Sequence, residues 1–69
     1  MVRPTKEIRT RLQANLVESR QARKSKDYGR CWSLLEDAHV LSQPWALMHV
    51  RVHGSMFVTA IVQGDVREV

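Results

Sequence analysis

Residues 44 to 63 constrain this chain more than any other stretch. Wound as a helix, they carry Trp45, Leu47, Met48, Val50, Val52, Met56, Phe57, Val58, Ile61 and Val62 almost all round the circumference. A helix without a polar face needs cover on more than one side. Sixty-nine residues make one small domain, which hides only about 60% of the surface its unfolded form exposes. The segment is therefore expected at the centre of the fold, or else part of it, notably Trp45, Met56, Phe57, Ile61 and Val62, faces another protein or a second copy. Its length is close to a membrane span, but Arg51, His49 and His53 fall inside it, and charge near a bilayer centre costs several kcal/mol, so no membrane partner is expected.

The remaining segments also read as helices. Ile8, Leu12 and Leu16 recur every four residues, with Val17 and Ala22 near the same stripe, which predicts an amphipathic helix over 5–25. "KSKDYGR" breaks it, and Asp27 is placed to cap the next helix. Trp32, Leu35 and Ala38 then give a second helix over 28–41. Gln43, before Pro44, is expected in extended geometry, and Pro44 in the first turn of a third helix over 44–63. Gly54 is expected where a neighbouring helix comes close. Gly64 can end the third helix in a left-handed conformation, leaving residues 65–69 as the stub of a truncated fourth. The lone cysteine, Cys31, cannot form an internal disulfide; it reads as a small buried contact, and a single thiol fits a reducing compartment, so a cytoplasmic location is expected. "MVRPTKEIRTRLQ" has charge but no following apolar run, so no signal peptide is expected.

Charge is concentrated at one end. The first thirty residues hold nine basic side chains against three acidic ones; the remainder holds two against four. Arg9, Arg20, Arg23 and Lys24 are the candidates for contact with a phosphate backbone, although a solvated helix face explains them equally simply. Such contact would be non-specific and steeply salt dependent.

All three histidines lie in "AHVLSQPWALMHVRVHG", residues 38–54. His49 and His53, four apart, stack on one helix face, a spacing suited to chelation. If helices two and three form an antiparallel hairpin, His39 comes opposite them, and three imidazoles converge as in an open zinc site. No carboxylate or cysteine occupies an obvious fourth position. The competing reading is a polar seam, in which the rings bond to carbonyls or to neighbours such as Ser55, Thr59 or Glu36. Met48 and Met56 read as core filling rather than copper ligands. No phosphate-cradling glycine loop or nucleophile-base pair is recognisable, so catalysis is not expected.

Two resemblances follow from these residues. "DYGRCWSLLEDAHVLSQPW" resembles the second helix of a tetratricopeptide repeat, with Tyr28, Cys31, Leu35 and Ala38 at that motif's spacing and Pro44 about one place late. The block "LLEDAHVLSQP", followed by "HVRVH" and "REV", is similar to an uncharacterised bacterial family of short all-helical proteins, a domain of unknown function. That similarity runs from Asp27 to the last residue and implies a helical fold, no established activity, and members that continue further along the chain.

The expectation is an all-α fold over residues 1–69: a three-helix antiparallel array resembling a tetratricopeptide helix pair, with a truncated fourth helix. The expected role is protein interaction or self-association as a homodimer, without catalysis or cofactor. The alternatives are metal binding, with zinc or another transition metal, through His39, His49 and His53, and nucleic-acid binding through the first helix.

Overall fold

The computed structural model describes residues 3–68, and their side chains as far as Gly64. Three helices follow one another, α1 (Lys6–Lys24), α2 (Tyr28–Ser42) and α3 (Ala46–Glu68), and no strand occurs among the described residues. The Cα positions extend over 45 × 17 × 12 Å. The α2 helix packs along both neighbours, and α1 and α3 meet over a shorter stretch, where Leu12 and Val52 share a cluster and Arg23 reaches Thr59.

Local chemistry sets the boundaries. Thr5 caps α1 by accepting from the Ile8 N–H at 3.2 Å, and Glu7 in the first turn and Arg23 and Lys24 in the last complement the helix dipole. The exit from α1 is a Schellman turn. The Asp27 N–H reaches back to the Ala22 carbonyl at 2.8 Å and the Lys26 N–H to that of Arg23 at 3.0 Å, which places Lys26 at φ 62°, in the left-handed region. Asp27 then turns from closing one helix to opening the next, its carboxylate accepting from the Arg30 N–H at 3.3 Å.

At the second turn the expected geometry needs correction. Gln43 keeps helical angles (φ −50°, ψ −41°) although proline follows it, so it is not extended, and the reversal spans Gln43 to Trp45. Trp45 donates to the Ser42 carbonyl at 2.9 Å and its own carbonyl takes the first bond of α3, from His49. Pro44 therefore lies in the turn, not in the helix. The truncated fourth helix is also corrected: α3 continues through Gly64 to Glu68, and no glycine has positive φ. A lone glycine weakens a helix by about 1 kcal/mol without compelling a stop. Val69, the last residue of that stub, lies outside the described residues.

Two apolar clusters hold the helices together. Leu12, Ala38 and Val52 join all three helices, flanked by Ile8, Leu41 and Met48. Ala22, Cys31 and Leu35 form the second, flanked by Trp32, and Leu16 and Met56 touch both. Cys31, Leu35 and Ala38 are fully buried, so the small-bulky-small spacing on α2 is its inward face. Three buried hydroxyls, Ser19, Ser42 and Thr59, each donate to a carbonyl of their own helix, which lets small polar groups sit at helix contacts without unmet hydrogen bonds. Asp37 accepts from Arg11 and, at 2.6 Å, from Asn15, pinning α1 to α2.

The expectation that residues 44–63 form the centre of the fold is corrected: α2 is the helix packed between two neighbours, and α3 is covered on one side only. Val52 and Thr59 face inward, whereas Leu47, Val50, Phe57, Val58 and Ile61 are exposed. Gly54 is another correction: a Cβ built there meets nothing within 4 Å, so no helix of this chain approaches it. No described helix is long and apolar enough to cross a membrane.

Candidate metal centre

The α2–α3 turn decides where the histidines meet. His39 lies in the last turn of α2, His49 in the first turn of α3, and His53 one turn further along the same face. A reversal of only three residues, Gln43 to Trp45, makes the two helices run back alongside each other, and all three rings come to the same level.

Their nitrogens converge. The Nε2 atoms of His53 and His49 are 2.9 Å apart, and those of His53 and His39 are 3.2 Å apart. One ligating nitrogen from each ring lies within 4.8 Å of the others. Ring centroids are 4.4 to 4.8 Å apart, and the planes are tilted by 42°, 71° and 83°, so the rings form walls around a common apex instead of a stack. Nitrogens at 2.0–2.1 Å from a tetrahedral zinc ion are roughly 3.3 Å from one another, which is the scale of this triangle.

Hydrogen bonding around His49 selects the nitrogen that points inward. The Ser42 hydroxyl donates to the His39 carbonyl at 3.1 Å and stands 3.3 Å from Nδ1 of His49. When its proton goes to the carbonyl, the hydroxyl offers His49 a lone pair, and the tautomer with hydrogen on Nδ1 then leaves Nε2 bare toward the apex. Burial, followed by the neighbouring His53 and His39, pushes His49 below the ordinary imidazole value of 6.5 and favours its neutral form.

Protons alone serve this arrangement poorly. One N–H on His53 can be donated to His49 or to His39, but it cannot serve both nitrogens in full. A cation satisfies three lone pairs at once. A donor set of three imidazole nitrogens, with His53 exposed to solvent, would suit zinc, nickel, cobalt or copper and would leave at least one coordination position for water or another ligand.

The other sequence candidates lie elsewhere. Thr59, named with Ser55 and Glu36 as a partner for a polar seam, donates to the Ser55 carbonyl, accepts from Arg23 Nη1 at 3.0 Å and lies 3.6 Å from Cys31 Sγ. Arg23 is thereby tied to α3, while Arg9 and Arg20 border a groove between α1 and α3, facing Arg51; Lys24 is in the last turn of α1. Of the proposed interaction residues, Phe57 and Ile61 are exposed, Trp45 and Val62 are half-buried, and Met56 packs inward between the two clusters. Ser42 is the residue that the sequence reasoning missed. Its position three after His39, one turn on along the same helix face, was the available signal.

The family model described as "Protein of unknown function (DUF3703)" matches residues 6–69. No curated protein and no solved structure matches the chain.

Proposed function

We propose that this chain, which belongs to the DUF3703 family of proteins of unknown function, binds one transition-metal ion through His39, His49 and His53. The observation that carries the reading is the convergence of three Nε2 atoms from two helices, at 2.9 and 3.2 Å across His53. Ser42 supports it, because its hydroxyl, 3.3 Å from Nδ1 of His49, can accept from that nitrogen and so favour ligation through Nε2. The role is one of binding, and no reaction is proposed. Its setting is a reducing compartment, the cytoplasm, in keeping with the one buried thiol.

The test is titration of the metal-free protein with zinc and, for its visible bands, cobalt. One equivalent is expected to saturate the site, to give cobalt the absorption of low-coordinate nitrogen ligation, and to raise thermal stability by about 2.7 kcal/mol when free metal is a hundred times its Kd. The double variant His49→Ala, His53→Ala is expected to lose all three responses. Saturation that survives this double change would reject the assignment.

A second reading is self-association, and a separate observation favours it: α3 exposes five large apolar side chains on the face opposite the core. The two readings use different surfaces and stand independently.

A further inference from the structure

The outward face of α3 has an order that solvent exposure alone does not require. Leu47 and Ile61 stand seven residues either side of Gly54, and Val50 and Val58 stand four either side. Steps of four and seven return to the same helix face, so these residues form one stripe with a glycine at its middle. Phe57 lies beside it. Leu47 is 83% exposed and Phe57 68%. Between Ala46 and Gly64 the stripe carries no charge; Arg51 and His53 fall at its margins.

Gly54 is the informative position. Glycine in a helix interior lowers stability relative to alanine, and here nothing inside the chain demands it, since a Cβ would meet open space. A second backbone crossing at that point would account for it. The stripe is symmetric about Gly54 in sequence position, so an identical helix laid across it in the opposite direction sets Leu47 against Ile61 and Val50 against Phe57 and Val58, with glycine facing glycine. A two-fold pair is self-complementary in this way, and antiparallel helices also oppose their dipoles. The exposed patch amounts to a few hundred Å² per copy, so pairing buries on the order of 1,000 Å², the lower bound for a specific interface.

We infer that the occupant of this face is a second copy of the same chain, in an antiparallel α3–α3 dimer whose two-fold axis passes at Gly54. The inference deepens the self-association reading by fixing the surface, the direction and the crossing point, and it does not depend on metal.

The experiment uses the full chain in the presence of a chelator. Sedimentation equilibrium is expected to give a mass twice the 8.0 kDa of one chain, with dissociation on dilution. Val50→Glu and Phe57→Glu are expected to raise the dimer Kd at least tenfold while circular dichroism keeps its helical signal. Gly54→Cys should oxidise to a cross-linked pair, whereas Leu47→Cys should not, because two copies of residue 47 lie at opposite ends of an antiparallel seam. Cys31 is fully buried and silent in this assay. A monomer at every concentration overturns both the inference and self-association. A dimer in which Leu47→Cys cross-links as readily as Gly54→Cys overturns the antiparallel crossing and leaves self-association standing. A monomer that co-sediments with phosphatidylglycerol vesicles gives the face to a lipid surface and overturns both.

Discussion

The Ser42 hydroxyl sits 3.3 Å from Nδ1 of His49 while donating to the carbonyl of His39, so one buried oxygen touches two members of the histidine cluster. It links the end of α2 to the start of α3 at the level where the rings meet. Outer partners of this kind hold a ligand in one tautomer and one orientation, and their loss commonly weakens metal affinity ten- to a hundredfold. Ser42→Ala is therefore expected to weaken zinc binding by that factor, measured by competition with a chromophoric chelator. Fold stability should fall by only about 1 kcal/mol, the worth of one hydrogen bond. Unchanged affinity would mean that the serine only fills space.

Acid should weaken the metal-free fold through the same ring. His49 is held below 6.5 in the folded chain, so between 6.5 and its depressed value the unfolded state binds more protons than the folded one. Its contribution is fully present above pH 6.5 and is lost as pH falls through the depressed value. In chelator, the thermal midpoint is expected to decline from pH 7 to pH 5, and His49→Gln should flatten that decline. A midpoint that rises on acidification would contradict the sign.

Lys26 offers a stabilising change far from the histidines. It occupies the left-handed position of the Schellman turn at φ 62°, where a side chain costs about 1–2 kcal/mol and glycine costs nothing sterically. Lys26→Gly gains that relief and loses part of it to the greater freedom of glycine in the unfolded chain. The net expectation is a gain of about 0.5–1 kcal/mol in urea unfolding, with zinc affinity unchanged. Destabilisation would show that the lysine side chain contributes a contact of its own.

The residues announce the helices more clearly than they announce the joints. Leu12, Leu35 and Ala38 lie on the inward faces that the apolar spacing marks, because a stripe seeking cover is a property of each segment alone, whereas α3, apolar almost all round, marks no face and Val52 is turned inward by packing. Gln43 and Gly64 escape the same reading. Each has a local bias, extended before proline or left-handed at a helix end, that is worth about 1 kcal/mol or a little more; helical bonding on either side of Gly64 outweighs it, and around Gln43 the turn bonds of Gln43 to Val40 and of Trp45 to Ser42 do so. The histidine cluster is legible in outline, since His49 and His53 need only the helical repeat. The place of His39 depends on the reversal being three residues long, and the part played by Ser42 depends on which helix face turns inward. Both are properties of packing between segments.

Leu35→Ala joins fold and site in one measurement. Leu35 is fully buried in the cluster with Ala22 and Cys31, one helical turn before His39 on α2, and removing it leaves a cavity that costs about 2–5 kcal/mol. A chain of this length has roughly 3–10 kcal/mol in total, so the variant stands near the edge of folding when metal is absent. His39 belongs to α2 and His49 and His53 to α3, so the three ligands are together only when those helices are paired. Metal that binds them must therefore pull the equilibrium toward the folded chain, by about 2.7 kcal/mol at a hundredfold excess over Kd. The expected result is a weakened helical signal for Leu35→Ala in chelator and its recovery on adding zinc. The same variant carrying His53→Ala should show no recovery. If zinc restores both chains equally, or neither, the ion is not read by the helix pair, and the metal assignment loses its link to the fold.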